Sequence, residues 1–202
     1  QGNGQQGTVA PLMITKSSDV VVSFKRFKCS PEAAATGSII GVFASTDTWI
    51  EDSLIEDVGG SAIIFQGGSS NFGVRRSQIK VTQALGSGVI TMSRGQGNEG
   101  VADSSAAVVS DVIIDRTFND PGVPTIALGS ATGANLNGAI ITNVIINFKN
   151  GATGDGILIG TGLASKVLLK DIYINSSSGG TALTDGGNGT VKADLYRNGI
   201  AQ

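Results

Sequence analysis

The sequence has no histidine, a single cysteine and only four prolines among its 202 residues. Without histidine, the chain lacks the commonest metal ligand and the commonest general base near neutral pH. The lone Cys29 excludes an internal disulfide framework. Proline removes a hydrogen-bond donor from a strand, so its scarcity permits long uninterrupted ladders. These absences exclude a disulfide-stabilised scaffold and histidine-dependent catalysis.

Charged and aromatic residues are also scarce. Charged residues make up 15% of the chain, the net charge is −2, and aromatic residues make up 5%. A nucleic-acid-binding protein carries a basic patch, which this chain lacks, so no nucleic-acid partner is expected. No run of about 18 apolar residues is present, so no membrane insertion is expected. No stretch has the periodicity and caps of an amphipathic helix.

An internal repeat is the strongest positive signal. Each copy has an apolar strand, a polar corner, a second short apolar strand, a Gly/Ser-rich turn and a third apolar strand. The clearest copies are 139–146 and 167–174, and weaker copies are 112–118, 72–79, 48–55 and 20–27. The 30 glycines suit the tight turns between such strands. A repeat of this length predicts a solenoid or a propeller.

Two columns of apolar residues are expected to stack from copy to copy. The first takes the same position of each copy, with steps of 28, 24, 40, 27 and 28 residues: Val22, Ile50, Val74, Ile114, Ile141 and Leu169. The second comes from the third strand: Leu12, Ile63, Ile90, Ile126 and Ile157. These residues are β-branched or leucine, as the buried face of a sheet requires.

The repeat therefore predicts an all-β fold, a right-handed single-stranded parallel β-helix of about six to seven coils of 24–28 residues. A propeller blade would need four strands and about 40–45 residues. A β-sandwich with many short strands remains the alternative. We expect one domain over residues 1–202, forming a piece of a longer polypeptide, with a lateral loop insertion at 94–105.

The polar corners carry a charge pattern. Glu51 and Asp52 in one copy fall in register with Arg75 and Arg76 in the next, and later copies carry Asp115-Arg116, Thr142-Asn143 and Lys170-Asp171. Opposite charges at stacking distance attract, so we expect ion pairs between copies. The pattern fits either a solvated ladder that fixes the register or a glycan-binding strip.

Few residues are candidates for chemistry. Glycoside hydrolysis needs two facing carboxylates, and the candidates are Glu32, Asp47, Glu99 and Asp103. Trp49 is expected on the outer face, where it could stack on a sugar ring or pack against another chain. Arg94, at the start of the insertion, is the second candidate ligand contact. No metal site and no cofactor are predicted.

The sequence resembles the pectin-lyase-like right-handed β-helix in three features. These are the repeated unit, the stretch Gly-Asp-Gly-Ile-Leu-Ile at 154–159, and the strand-closing Asn119, Asn147 and Asn175. The likeness covers nearly the whole chain and is one of architecture. The polygalacturonases of that family imply a Gly-His-Gly motif and its pectate lyases imply a calcium-binding Asp cluster, and neither is present here. The low charge and the Gly/Ser/Asn-rich turns are most similar to bacteriophage tailspike and tail-fibre segments.

That resemblance implies a structural or receptor-binding segment of a virion appendage. Such segments are homotrimers that contact host surface polysaccharide and other virion proteins outside the cell. The alternative is a polysaccharide depolymerase, a lyase or glycoside hydrolase that uses carboxylates. A depolymerase predicts a groove with two close acids and flanking aromatic residues, whereas a shaft predicts a face buried between chains.

Overall fold

The protein is all-β and its sheets are parallel. The structure is a computed structural model that describes residues 12–28, 38–58, 60–84, 88–94, 103–129, 135–161, 164–176, 180–187 and 189–202. No helix occurs in these ranges, and within them no segment meets the length and apolarity of a membrane-spanning helix. Apart from one terminal hairpin, every strand pair is parallel.

The chain alternates between two sheets, and strand order within each sheet follows chain order. Sheet 1 contains β1 (Leu12–Thr15), β4 (Ser38–Phe43), β7 (Ser61–Gln66), β9 (Ile90–Arg94), β11 (Pro124–Leu128), β13 (Asp155–Ile159) and β15 (Leu183–Asp185). The main strands of sheet 2 are β2 (Ser18–Ser23), β5 (Thr46–Glu51), β8 (Ser70–Val81), β10 (Ser104–Arg116), β12 (Leu136–Phe148), β14 (Ala164–Asn175), β17 (Leu195–Arg197) and β18 (Ile200–Ala201). Short strands β3 (Phe27–Lys28), β6 (Leu54–Val58) and β16 (Val191–Lys192) complete it.

The predicted column in sheet 1 is confirmed. Neighbouring strands place Leu12, Ile40, Ile63, Ile90, Ile126, Ile157 and Leu183 opposite one another. All belong to or pack on one apolar core, to which both sheets contribute. Removing an isoleucine side chain of this kind from water contributes about 1.5–3 kcal/mol. These repeated burials hold the sheets together.

One member of the predicted column in sheet 2 is wrong. Val74 lies opposite Val109, and the column runs Val22, Ile50, Val74, Val109, Ile141 and Leu169. Ile114 belongs five residues further along, in the buried column Ile55, Ile79, Ile114, Ile146 and Ile174. The repeats are therefore less uniform than expected, and contacts between adjacent copies span 24, 28, 32 and 35 residues.

The predicted break at the polar corner is present in the first two copies and in the short final copy. β2 and β3, β5 and β6, and β16 and β17 are separate strands, whereas β8, β10, β12 and β14 run through the corner as single strands of 12–13 residues. Of the predicted insertion at 94–105, Arg94 ends β9 and Ser104 begins β10, and residues 95–102 lie outside the described part of the chain.

Buried serines connect the copies where the chain enters sheet 2. Ser45 N–H donates to Ser69 Oγ over 3.3 Å, and Ser69 N–H donates to Ser104 Oγ over 3.3 Å. All three residues are buried. A buried backbone donor is costly without a partner, so these hydroxyls satisfy groups that the ladder leaves open at the turn.

Candidate functional site

Sheet 2 turns at a column of residues in the left-handed backbone conformation. These residues are Asp52, Arg76, Asp111, Asn143 and Asp171, with φ between +48° and +55°. Aspartate and asparagine tolerate this region better than other side chains, which explains their predominance. Because five successive copies turn at the same register position, we call the residues the corner column. It divides the outer surface of sheet 2 into two faces.

The outer face before the corner is largely apolar, and we call it the first outer face. Its register column is Val21, Trp49, Gly73, Val108, Ile140, Leu168 and Val191. The face after the corner is the second outer face, with the column Leu54, Gln78, Ile113, Ile145, Tyr173 and Tyr196. Both columns leave large apolar side chains in contact with solvent.

A groove of about 460 Å³ lies where the corner column meets the second outer face. Its lining combines both charge signs, short polar side chains and two apolar residues: Lys25, Asp52, Ser53, Leu54, Arg76, Ser77, Gln78, Asp111 and Ile113. These residues come from four successive copies of the repeat. The groove therefore runs across the strands and offers hydrogen-bonding and apolar contacts at the spacing of the sheet.

The predicted ion pairs at the corner are confirmed. Arg76 Nε is 2.9 Å from Asp52 Oδ1, and Arg76 Nη2 is 2.8 Å from Glu51 Oε2. Arg75 also pairs with Glu51. The hydrogen bond from Arg75 is the main cause of the lowered pKa of Glu51, and that from Arg76 lowers the pKa of Asp52. Both carboxylates are therefore held ionised and accept hydrogen bonds.

A second polar ladder borders the second outer face. Lys80 Nζ is 2.8 Å from Glu56 Oε1, Asn147 Nδ2 donates to Asp115 Oδ1 over 2.8 Å, and Asn175 Nδ2 donates to Asn147 Oδ1 over 2.9 Å. Of the three strand-closing asparagines predicted from sequence, Asn147 and Asn175 are on this ladder. Asn119 does not lie on this ladder, because Asp115 holds the register position next to Asn147. Asn119 instead accepts a hydrogen bond from Thr153 N–H.

The acids of this ladder are also held ionised. Hydrogen bonds from Lys80 and then Arg26 lower the pKa of Glu56. For Asp115 burial is the largest single effect and raises the pKa, but hydrogen bonds from Asn147, Lys149 and Gln78 together outweigh it, and the net pKa is lowered. Neither residue has the raised pKa that a general acid needs.

Two stacked tyrosines continue the column that passes through the groove. The rings of Tyr173 and Tyr196 are 5.3 Å apart and inclined by 10°. Tyr173 is 42% exposed, so its ring is available to a ligand. Tyr196 donates its hydroxyl proton to Asp194 over 3.2 Å, and this bond is the main cause of its raised pKa.

Trp49 lies on the first outer face, on the opposite side of β5 from the buried Thr48 and Ile50, as the alternation predicts. The guanidinium carbon of Arg75 is 4.4 Å from the centre of its ring. This cation–π contact covers part of the indole. Trp49 is thus half-buried, with the guanidinium of Arg75 over its ring.

The predicted acids do not form a pair in the described chain. Asp47 has a left-handed backbone at a turn and accepts a hydrogen bond from Asn71 Nδ2. Asp103 accepts a hydrogen bond from Asn135 N–H over 2.9 Å. Arg94 ends β9, and Glu32 and Glu99 lie outside the described residues. Among the described residues, no group of three or more acidic or cysteine side chains is arranged to hold a metal ion.

Sequence reasoning missed most of the groove and the tyrosine pair. The sequence does not reveal Asp111 and Ile113 as groove residues, because the repeat copy predicted at 112–118 is five residues out of register with the structure. Tyr173 alternates with the buried Ile172 and Ile174, so its outward orientation could be read from the pattern. Tyr196 directly follows residues 191–195, where the sequence indicates the start of a further copy, but its stacking on Tyr173 was not predicted.

The chain matches no protein-family model, no curated protein and no solved structure.

Proposed function

We propose that the two parallel sheets are walls of a right-handed parallel β-helix, the architecture of the pectin-lyase-like family. The alternation of the chain between sheets and the copy-to-copy register support this fold. The right-handed sense follows from the preferred hand of crossovers between parallel strands. In such a helix, each copy of the repeat is one coil.

We further propose that this segment is a non-catalytic, structural and receptor-binding part of a virion appendage such as a phage tailspike or tail fibre. In that role it acts outside the cell, attaches to other virion proteins and contacts host surface polysaccharide. The observation that carries the binding role is the second outer face, where one column leads from the groove at Gln78 and Ile113 to the stacked Tyr173 and Tyr196.

The chemistry of this column suits a glycan. Aromatic and aliphatic side chains pack against the C–H face of a sugar ring, and Gln78 and Asp111 can hydrogen-bond its hydroxyls. The column has one residue from each of six copies, and the five steps of about 4.8 Å between them give a length of about 24 Å. A surface of that length fits several sugar units of a polymer better than a single monosaccharide.

The acids near the groove favour binding over cleavage. A glycosidase needs a protonated carboxylic acid at working pH together with a second carboxylate. In the described chain, Glu51, Asp52, Glu56 and Asp115 all have lowered pKa values because cationic or amide groups donate to them. We therefore favour adhesion over the depolymerase alternative.

The first outer face supports the proposed homotrimer. Val21 and Ile140 are among its exposed apolar residues, and the corner charges lie at its edge. Exposed apolar columns are typical of protein–protein contacts. We propose that this face packs on the neighbouring copies and leaves the second outer face open to the glycan.

Binding is tested on an array of bacterial capsular polysaccharides and lipopolysaccharide O-chains, followed by calorimetry on the best ligand. Tyr173→Ala should weaken binding at least about fivefold, equivalent to roughly 1 kcal/mol. Thr184→Ala, an exposed substitution on sheet 1, is the matched control and should bind as the unmodified chain does. Absence of any glycan ligand, or equal affinities of the two variants, would refute the binding role.

Catalysis and assembly are tested separately. Reducing ends or unsaturated sugars that form in the presence of the protein, and disappear on neutralising an acid such as Asp47 or Glu99, would favour the depolymerase.

Sedimentation should give three times the 20.4 kDa mass of one chain. Ile140→Asp should shift the population to monomers, and an unmodified chain that sediments as a monomer would contradict the trimer.

A further inference from the structure

The charges in the groove are unevenly used by the protein itself. Four charged residues line it, one from each of four successive copies: Lys25, Asp52, Arg76 and Asp111. In copy order, Lys25 and Asp111 lie at the two ends, and Asp52 and Arg76 lie between them. All four side chains are exposed, so a bound molecule can reach any charge that no other group of the protein already holds.

The two central charges hold each other. Arg76 Nε is 2.9 Å from Asp52 Oδ1, and Arg76 Nη2 is 3.0 Å from Asp52 Oδ2. One planar guanidinium thus engages both carboxylate oxygens, which is the strong geometry for this pair. Arg76 also donates to Glu51. A ligand would have to break this network to use either group, so the middle of the groove offers no free charge.

The cation at one end lies outside that network. Among the described residues Lys25 forms no ion pair. It also makes no contribution to the lowered pKa of Glu51 or of Asp52, which Arg75 and Arg76 account for. The charge of Lys25 is therefore available to a molecule in the groove.

The anion at the other end is similarly available. Asp111 accepts a hydrogen bond from Asn143 Nδ2 over 2.6 Å, and in the described chain no cation forms an ion pair with it. Arg76 is its neighbour in the corner column, but Asp111 is not among the groups that raise the pKa of Arg76. Asn143 is uncharged, so its hydrogen bond leaves the negative charge of Asp111 in place.

The fold also removes an arginine from this end. The sequence suggested Asp115-Arg116 as the corner of the fourth copy, which would place an arginine beside the aspartate. This is wrong, because the corner of that copy is Ser110-Asp111 and Arg116 faces the core with 0% exposure. Lys25 and Asp111 are three steps of about 4.8 Å apart, or about 14 Å along the stack of copies.

We infer that the groove binds a zwitterionic segment of a polysaccharide, with an acidic group of one sugar at Lys25 and the amino group of another sugar at Asp111. This inference rests on the proposed glycan contact and names its substrate class. A neutral glycan leaves both charges unused, an anionic one brings negative charge to Asp111, and a cationic one brings positive charge to Lys25. Like charges in contact select against the wrong partner, and the order of charges fixes the direction of the glycan chain.

The first test sorts the polysaccharide array by repeating unit into neutral, anionic and zwitterionic polymers. The unmodified chain should retain the zwitterionic polymers most strongly, and sodium chloride should weaken that binding because exposed charge pairs are screened. Preferred binding of neutral or purely anionic polymers that Tyr173→Ala weakens would overturn this inference and leave the glycan contact standing. Retention of no polymer at all would refute both.

The second test removes one charge of the protein at a time. Lys25→Gln and Asp111→Asn should each weaken binding to the zwitterionic polymers about two- to fivefold, the effect of one exposed ion pair. Lys192→Gln and Asp19→Asn remove exposed charges outside the groove and should bind as the unmodified chain does. Asp19 is a close match for Asp111, since their φ angles are +56° and +55°.

The third test removes the amino groups of the polymer. After N-acetylation of the retained polymers, Asp111→Asn should no longer change the affinity, whereas Lys25→Gln should still weaken it. A loss on Asp111→Asn that survives N-acetylation, or a loss in only one of the two variants before it, would overturn the zwitterionic assignment.

Discussion

The outer surfaces of the two sheets carry similar side chains in opposite environments. On sheet 1, the outward column includes Ile64, Thr91 and Ala127, which are 1%, 0% and 1% exposed. On sheet 2, outward Ile113 is 39% exposed. Part of the difference is local: the backbone at Gly88 lies against Thr91 and Ala127, where an added Cβ would come within 3.1–3.2 Å of both.

This difference separates residues that stabilise the fold from residues available to a partner. Ile64 and Ala127 are buried yet lie outside the central core cluster, so they form a second apolar layer on sheet 1. The outward residues of sheet 2 have no such layer over them in the described chain. Exposed apolar columns of this kind are typical of contact surfaces, which is the basis of the proposed glycan and subunit contacts.

The largest expected effect comes from truncating the same residue type on the two sheets. Ile64→Ala should lower the free energy of unfolding by about 2–5 kcal/mol, because it leaves a cavity in a covered layer. Ile113→Ala should lower it by less than about 1 kcal/mol, because the side chain is already partly in water. Urea unfolding with a common slope measures both changes.

Equal losses in the two variants would contradict the difference in cover between the two sheets. A small loss for Ile64→Ala would mean that the cover on sheet 1 is loose. A large loss for Ile113→Ala would mean that the second outer face is already buried in solution, and the groove would then be closed to a ligand.

The strands of sheet 1 were predictable because Gly or Ser stands near the start of several of them and each places an isoleucine or leucine inward, as Ile63, Ile90 and Ile157 do. The register of β10 with its neighbouring strands was not predictable. Val108-Val109-Ser110-Asp111 and Ile113-Ile114-Asp115-Arg116 share the same order of two apolar residues, a polar residue and a charged one. Alternation alone cannot choose between them. The left-handed turn at Asp111 and the burial of Arg116 decide the frame.

The candidate site was predictable where opposite charges or strand alternation marked it, as alternation did for the outward Trp49. Opposite charges at the same position of adjacent copies were enough to pair Glu51 and Asp52 with Arg75 and Arg76. The cover on sheet 1 could not be predicted, because the approach of Gly88 to Ala127 joins residues of different copies, which strand alternation does not specify. The inward Arg116 violates the rule that charges face water, so sequence patterning assigned it to the surface.

The second prediction concerns the corner column, which sheet 1 lacks. Asn143 has φ of +51°, and its Nδ2 donates to Asp111 Oδ1 over 2.6 Å. Asn143→Val and Asn143→Gly both lose this bond, but only valine is strained in the left-handed region. We expect Asn143→Val to be less stable than Asn143→Gly by about 1–2 kcal/mol in urea unfolding. Equal stabilities would argue against a left-handed corner at this position.

The third prediction uses acid to distinguish the charged surface of sheet 2 from the apolar cover of sheet 1. The pKa of Asp115 is lowered in the folded state, so its stabilising effect is present above the unfolded-state pKa of about 3.9 and is lost as pH falls through the lower folded pKa. Asp115→Asn should flatten the fall of unfolding free energy below about pH 4, by less than one proton in the linkage slope. Ile64→Ala should shift the whole curve and leave its acid slope unchanged. Identical acid slopes for Asp115→Asn and the unmodified chain would contradict the assigned hydrogen bonds.

The smallest expected effect is spectroscopic and reports on the second outer face directly. The chain has only two tyrosines, Tyr173 and Tyr196, so phenolate absorbance near 295 nm follows this pair without background from other residues. The hydrogen bond to Asp194, together with the charge of that carboxylate, raises the pKa of Tyr196. Asp194→Asn removes the negative charge that opposes ionisation, and it should move one of the two titrations to lower pH. Because the change is confined to the end of an exposed column, the free energy of unfolding should stay within about 0.5 kcal/mol of the unmodified value. A titration that is unchanged by Asp194→Asn would show that Tyr196 donates elsewhere, and the stacked pair would then lose the contact that orients it for a ligand.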